Sequence, residues 1–264
     1  MPAPRPTIVL LHGGWHKPAH YSKLISALKN EGYEVHSPSL PSMNGSRPPN
    51  ADLTTDTQLV RGYIESLVEA GRTVLVLMHS YGGVVGTNAL YGLGRETRSK
   101  QGKAGGIAHL IYMCAYALPE GECLISKVKD MGHEALLDVV FDWSSDMLVT
   151  HRDPKAGFIG TDFSGTETAV SEAEAKDYVD SLLTWNGKTW HQPSTHAAWR
   201  EIPVTYLKAT KDVTVPLDYQ VSMIDLMRKE GTDVKVVEVA TGHSPHMTMV
   251  KEVVAAVNED AASV

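Results

Sequence analysis

The sequence has few of the features that mark disulfide-stabilised and nucleic-acid-binding proteins. Its 264 residues include only two cysteines, Cys114 and Cys123, whose spacing matches no zinc or redox motif, so we expect two free thiols. Basic residues number 24 against 31 acidic ones. The resulting net charge of −7 repels phosphate groups, which argues against nucleic acid and anionic membranes as partners.

Long hydrophobic runs and targeting segments are also missing. No stretch approaches the roughly 18 apolar residues that cross a bilayer, and residues 1–6 carry no apolar segment with a cleavage pattern. We therefore expect a cytoplasmic location by default. The remaining composition, 42% hydrophobic and 21% charged, is typical of a globular protein, and a chain of this length commonly forms one compact unit.

Short apolar strands alternate with amphipathic helices along most of the chain. Residues 7–11 are almost wholly apolar, as expected for a strand buried on both faces of a parallel sheet. Further strands are predicted at 34–39, 73–78, 107–115, 204–209 and 234–239, and helices at 18–30, 52–70, 84–93, 217–229 and 246–257. The alternation predicts an α/β fold with a doubly wound, mostly parallel sheet and helices on both faces.

Residues 119–201 break this alternation. They contain no convincing core strand, helical patterns at 124–140 and 169–183, and four tryptophans. An insertion of about 80 residues is far longer than an ordinary loop and should carry its own helices. We interpret it as a helical lid, not an independent domain, inserted into a core of residues 1–118 and 202–264.

A serine stands where the most hydrophobic strand turns into a helix, in residues 78–83 (Met-His-Ser-Tyr-Gly-Gly). A serine hydroxyl becomes a useful nucleophile only with a base, an acid that orients the base, and donors for the oxyanion. A small-x-Ser-x-Gly turn pushes the serine oxygen out at the carboxyl edge of the sheet, so Ser80 is the predicted nucleophile. The predicted oxyanion donors are the backbone N–H groups of Tyr81, at the helix N-terminus, and of Gly14, after the first strand.

The acid and the base are predicted in the loops after the last two strands. Asp212 follows strand 204–209 and His243 follows strand 234–239, which gives the order Ser, Asp, His and places all three at one edge of the sheet. Other candidates are Asp218, Glu120 and Glu122 for the acid and His246 and His79 for the base.

Residues 11–15 (Leu-His-Gly-Gly-Trp), residues 78–83, Asp212 and Gly242-His243 together resemble the α/β-hydrolase superfamily over nearly the whole chain outside the insertion. The short N-terminus and residues 242–247 are similar to the plant methylesterase and hydroxynitrile-lyase branch and its fungal relatives. The resemblance implies hydrolysis of an ester, thioester or lactone of a small organic molecule, without a metal or an organic cofactor.

The sequence departs from the family pattern at two positions. Met78 replaces the glycine that usually stands two residues before the nucleophile, and Gly82, Gly83 and Gly86 leave room for its side chain. Ser244 stands where hydroxynitrile lyases have a lysine, which disfavours cyanohydrin cleavage.

We predict a serine hydrolase that acts on a small, largely apolar ester or lactone, with Trp15, His79 and Trp185 lining the substrate pocket. No carboxylate or cysteine completes the histidine pairs 12/16 and 191/196, so no metal is predicted. Two other functions remain open on the same fold: a small-molecule receptor, and a natural-product lyase, isomerase or cyclase with His243 as general base. Whether the protein is a monomer or a homodimer also remains open.

Overall fold

A parallel six-stranded sheet lies at the centre of the computed structural model, which describes residues 5–160 and 170–264. In chain order, the strands are β1 (Thr7–Leu11), β2 (Val35–His36), β3 (Thr73–His79), β4 (Gly106–Met113), β5 (Phe141–Trp143), β6 (Leu148–His151), β7 (Trp185–Asn186), β8 (Val204–Ala209) and β9 (Val234–Val239). The main sheet has the order β2-β1-β3-β4-β8-β9. Its neighbouring strands are all parallel.

Helices cover both faces of this sheet. They are α1 (Ser22–Asn30), α2 (Leu53–Glu69), α3 (Tyr81–Ala89), α4 (Arg95–Lys100), α5 (Leu124–Asp130), α6 (Leu137–Val140), α7 (Glu172–Asp180), α8 (Leu217–Lys229), α9 (Pro245–Thr248) and α10 (Val250–Ala262). Side chains of β1 alternate between two buried clusters: Ile8 and Leu10 join α1 and α10, whereas Val9 and Leu11 join α2, α3 and α8. The predicted α/β fold with a doubly wound parallel sheet is confirmed.

Several predicted boundaries were wrong by a few residues. The second strand spans only two residues instead of 34–39, and the predicted helix 246–257 is two helices, α9 and α10, separated by Met249 with a φ of −134°. Strand β4 stops at Met113 because Cys114 has a positive φ of 38°. Helix α3 begins directly after Ser80 rather than at residue 84. Among the described helices, none is long and apolar enough to cross a bilayer.

The insertion, residues 119–201, lies between β4 and β8 and contains a small antiparallel sheet as well as helices. Strands β5, β6 and β7 form this sheet, and their residues Phe141, Val149 and Trp185 belong to the same buried cluster as one face of the main sheet. The prediction of helices alone was therefore wrong, because strands of two to four residues are too short to show an alternating pattern. Helix α7 occupies part of the predicted segment 169–183, whose first residue lies outside the described ranges.

Glycines let the chain turn tightly after β3. A β-carbon on Gly82 would stand 2.5 Å from the carbonyl oxygen of Leu11, so a side chain there would push the β1 loop away from α3. The Sδ atom of Met78 occupies the place that a β-carbon on Gly86 would need. The long side chain of Met78, before the turn, therefore fits because Gly86 in α3 has no side chain.

Replacing Gly86 with alanine should lower the free energy of unfolding by about 2 kcal/mol, since the new methyl group meets the sulfur of Met78. Most of this loss should disappear in a Met78→Ala background. The control is Gly62→Ala, at an exposed position of α2 with open space around it, which should instead raise stability by about 0.5–1 kcal/mol. Urea unfolding of the wild type, the three single variants and the double variant gives the free energies. Equal losses from Gly86→Ala in both backgrounds would show that Met78 is not the obstacle.

Candidate active site

Ser80 lies in a strained turn between β3 and α3. Its φ of 53° and ψ of −122° are rare for a residue with a side chain and cost roughly 1–3 kcal/mol, so the surrounding structure must hold them. The Ser80 carbonyl accepts hydrogen bonds from the N–H groups of Gly83 at 3.0 Å and Tyr116 at 3.1 Å. Ser80 is 6% exposed and lies in the wall of a cavity.

Asp212 and His243 form a buried hydrogen-bonded pair in the loops after β8 and β9. His243 Nδ1 lies 2.7 Å from Asp212 Oδ2. The other carboxylate oxygen, Oδ1, accepts from the backbone N–H groups of Thr214 at 2.8 Å and Val215 at 2.9 Å. Because the ionised carboxylate can only accept, Nδ1 of His243 carries the proton. Nε2 has no hydrogen-bond partner in the described part of the chain, Ser80 Oγ included.

The other acid and base candidates have different surroundings. Glu120 pairs with Arg200 at 2.9 Å, Glu122 is half-buried, and Asp218 accepts from the N–H of Tyr219 in the first turn of α8. His246 is fully buried and stacks on the Tyr21 ring with centroids 4.2 Å apart. Neither ring nitrogen of His246 has a hydrogen-bond partner within the described residues.

The loop after β1 approaches the Ser80 turn closely. Leu11 pairs with Met78 in the β1–β3 register, so both strands end at the same height. A β-carbon on Gly13 would lie 3.0 Å from the β-carbon of Ser80. Within the described ranges, the N–H groups of Gly14 and Tyr81 donate to no other group. Two unused backbone donors thus belong to the residue after Ser80 and to the loop that packs against Ser80, and an oxyanion hole needs two such donors.

A largely apolar cavity of about 100 Å³ adjoins Ser80. Its described wall contains no Asp, Glu, Lys or Arg. The predicted site residues Trp15, Ser80, Tyr81 and Trp185 are part of that wall. The other lining residues are Tyr116, Leu124, Val128, His133, Leu136, Leu137, Val140, Phe141, Trp190, Val213, Thr214, Pro216 and Tyr219.

Trp15 joins the β1 loop to the insertion. Its indole N–H donates to the carbonyl of Val149 at 2.9 Å, and its ring stacks on Phe141 with centroids 5.4 Å apart. Trp185 packs edge-on against Trp15 and fills the space that a side chain on Gly14 would need. The insertion therefore covers the loop that carries the Gly14 N–H.

His79 does not lie in the described cavity wall, although we expected it to bind substrate. It is fully buried, with Nδ1 2.6 Å from the Tyr21 hydroxyl and Nε2 2.7 Å from the carbonyl oxygen of His243. Burial, followed by the neighbouring histidines 243, 246 and 16, holds the pKa of His79 well below 6.5, so the ring is neutral. His79 thus contacts the loop that carries His243 and lies outside the described cavity wall, which contains Trp15 and Trp185.

Three potential metal ligands, His79, Cys114 and His243, lie close together. His79 Nε2 and Cys114 Sγ both contact the carbonyl of His243, at 2.7 and 3.6 Å, and the ligand atoms of these three residues lie within 4.8 Å of one another. Burial raises the pKa of the Cys114 thiol well above 9.0, which opposes the thiolate that a metal would need. The absence of a metal stays a prediction.

A buried carboxylate behind Tyr81 was missed in the sequence. Asp56 accepts hydrogen bonds from the Tyr81 hydroxyl at 2.8 Å and from the hydroxyl and N–H of Ser42 at 2.6 and 2.9 Å. Burial nevertheless raises its pKa from 3.8 to about 6. Asp56 lies four residues before Val60 and eight before Ile64, on the buried face of α2. A carboxylate on this otherwise apolar face was the sequence signal that could have indicated a buried polar contact.

Asp56 should make stability depend on pH in a direction opposite to that of an ordinary salt-bridged carboxylate. The folded pKa near 6 exceeds the unfolded value near 3.8, so the stabilisation is complete below pH 4 and is lost as the pH rises through 6. Relative to Asp56→Asn, the wild type should lose on the order of 2–3 kcal/mol of unfolding free energy between pH 4 and pH 7. Urea unfolding of both proteins across this range provides the test. A difference that does not change with pH would contradict it.

A strained serine turn, a buried Asp–His pair and two unused N–H donors at the carboxyl edge of a parallel sheet are typical of an α/β hydrolase. The chain belongs to the alpha/beta hydrolase family, since residues 8–256 match the model of that family.

A fungal protein is similar in sequence, and plant and bacterial proteins are similar in fold. The "Alpha/beta hydrolase nvfD" of Aspergillus novofumigatus is 32% identical over 257 residues, covering 91% of this chain and 90% of the relative. Among solved structures, a pyrethroid hydrolase from Sphingobium faniae JZ-2 has a TM-score of 0.70 at 22% identity, covering 97% of each chain. The methylesterase MES16 from Arabidopsis has a TM-score of 0.68 at 15% identity, covering 98% of this chain and 100% of its own. The predicted family resemblance is confirmed.

Proposed function

We propose that this protein is a serine hydrolase that cleaves a small, neutral, largely apolar ester or lactone through an acyl-enzyme. The observation that carries the proposal is the combination of the buried Asp212–His243 pair with a strained serine in the wall of an uncharged cavity. The names of two structural neighbours, a pyrethroid hydrolase and a methylesterase, support hydrolysis as the reaction class.

The proposed reaction uses each group at a stated atom. His243 Nε2 takes the proton of the Ser80 hydroxyl while Ser80 Oγ attacks the carbonyl carbon, and Asp212 stabilises the imidazolium. The N–H groups of Gly14 and Tyr81 bind the oxyanion of the tetrahedral intermediate. The intermediate collapses to the acyl-enzyme as Nε2 returns the proton to the leaving alcohol. Water then attacks with His243 again as base, which releases the acid and restores Ser80.

The cavity wall favours an uncharged substrate. A charged group in the described part of the wall would lose its hydration without meeting an oppositely charged side chain, which is costly. Four aromatic rings from the β1 loop and the insertion, those of Trp15, Phe141, Trp185 and Trp190, instead offer a broad apolar surface. In this proposal the insertion acts as a lid over the substrate.

The nucleophile is tested by intact-mass spectrometry after incubation with a fluorophosphonate, and by turnover of p-nitrophenyl acetate. Wild type and Ser66→Ala, which removes an exposed serine hydroxyl of α2, should each gain one adduct and hydrolyse the ester. Ser80→Ala should gain no adduct and lose activity by at least about a thousandfold. An unlabelled but folded wild type would sink the proposal. Labelling with very slow turnover would favour a receptor, and product formation by Ser80→Ala would favour a lyase or isomerase.

The substrate class is tested by comparing p-nitrophenyl butyrate with p-nitrophenyl hemisuccinate, which adds a carboxylate. We expect kcat/KM to be about a hundredfold lower for the anionic ester, since no described cation faces the cavity. Leu136→Lys should reduce the difference in kcat/KM between the two esters, because Leu136 lines the cavity, is half exposed and would bring a positive charge there. Val139→Lys is the control, since Val139 is more exposed and lies outside the described wall. Equal rates for both esters in the wild type would contradict the proposed substrate class.

A further inference from the structure

A relay of hydrogen bonds through Tyr21 and His79 joins the oxyanion loop, residues 12–16, to the loop of the catalytic histidine. The N–H of Gly13 donates to the Tyr21 hydroxyl at 2.9 Å, and that oxygen lies 2.6 Å from His79 Nδ1. His79 Nε2 lies 2.7 Å from the carbonyl oxygen of His243. A carbonyl only accepts, so Nε2 carries the proton of this neutral ring, and Nδ1 accepts the proton of Tyr21.

A second relay runs through His16 and Tyr178. His16 Nδ1 contacts the carbonyl oxygen of Gly14 and must carry the ring proton for the same reason. His16 Nε2 then accepts the hydroxyl proton of Tyr178, whose oxygen lies 3.1 Å from Ser244 Oγ. Tyr178 belongs to α7, so this relay passes through the insertion.

The two relays hold the peptide between Gly13 and Gly14 from both sides. The first relay begins at the N–H of Gly13 and the second at the carbonyl of Gly14. They end on the adjacent residues His243 and Ser244. The carbonyl of the peptide itself faces His12 Nδ1 at 3.0 Å. In a trans peptide the N–H points away from the carbonyl, so these contacts fix the direction of the Gly14 N–H.

Both relays need neutral imidazoles, and the structure keeps them neutral. Full burial is the main cause of the low pKa values of His16 and His79, and the histidines around them lower these values further. Tyr21 and Tyr178 are equally enclosed, and burial raises the pKa of both hydroxyls. None of the four side chains belongs to the described cavity wall, so direct contact with substrate does not account for them.

We propose that Tyr21 and Tyr178 are positioning residues, which act through His79 and His16 to set the place of the Gly14 N–H relative to His243. The inference rests on the proposed hydrolysis at Ser80. It assigns the insertion a part in the reaction itself, because one of the two hydroxyls comes from α7. An oxyanion donor is effective only within a few tenths of an ångström of its best position, so loss of a relay should slow the chemical step more than it weakens substrate binding.

The test is the pair Tyr178→Phe and Tyr21→Phe, assayed with p-nitrophenyl butyrate. Each variant should lower kcat about tenfold with KM within about twofold, and should weaken binding of an alkyl boronic acid by the same factor as kcat/KM. The matched control is Tyr112→Phe, which deletes an equally buried hydroxyl paired with Thr87 Oγ1 at 2.7 Å. Its kcat should be unchanged even if its melting temperature falls.

A second readout does not depend on turnover. Nitrogen-15 spectra should show His16 as the Nδ1–H tautomer and His79 as the Nε2–H tautomer, and Tyr178→Phe should shift the amide signals of residues 13–14 while Tyr112→Phe leaves them in place. Unchanged kcat in Tyr178→Phe, or opposite tautomers, would overturn the relays while fluorophosphonate labelling of Ser80 still supported the hydrolase. A folded wild type without an adduct would overturn both proposals.

Discussion

The tight turn at Ser80 depends on backbone segments that lie closer to one another than side chains would allow. A β-carbon on Gly82 would stand 2.5 Å from the carbonyl of Leu11, and one on Gly83 would stand 2.9 Å from the side chain of Ala115. These contacts press α3 against the segments that follow β1 and β4. The strained φ of Ser80 is maintained because relaxing the turn would separate these segments. The Ser80 side chain and the oxyanion loop thus share one set of backbone contacts.

Around this turn the protein buries four neutral histidine side chains. Histidine ordinarily titrates near neutral pH, yet burial holds the pKa of His12 near 4 and those of His16, His79 and His246 well below 6.5. Neutral imidazole rings donate at one nitrogen and accept at the other, which suits them to linking backbone groups in a buried site. His12 and His16 both make hydrogen bonds to backbone carbonyls of the loop between them.

The sheet and the chain order of the site could be predicted because they leave local signals. The apolar run of β3, the serine turn, and Asp212 and His243 in the loops after β8 and β9 are each visible in a few consecutive residues. The strands of the insertion leave no such signal, since the longest has four residues. The position of His79 could not be predicted either, because its partners Tyr21 and His243 are 58 and 164 residues away. Tyr178 sits on the buried side of α7 with Ala175, a pattern that indicates core packing only.

The insertion packs closely against the loop of residues 12–16, so its sequence affects the position of that loop as well as the shape of the cavity. Trp15 donates to Val149 and its carbonyl accepts from the N–H of Leu183 at 2.7 Å, while the Trp185 ring lies against Gly14. A change in the insertion that moves these contacts also moves a backbone segment that is packed against Ser80, since a β-carbon on Gly13 would stand 3.0 Å from that of Ser80 and close-packed segments cannot shift independently. Relatives with different insertions should therefore differ in the rate of the chemical step as well as in substrate preference, even where Ser80, Asp212 and His243 have the same counterparts.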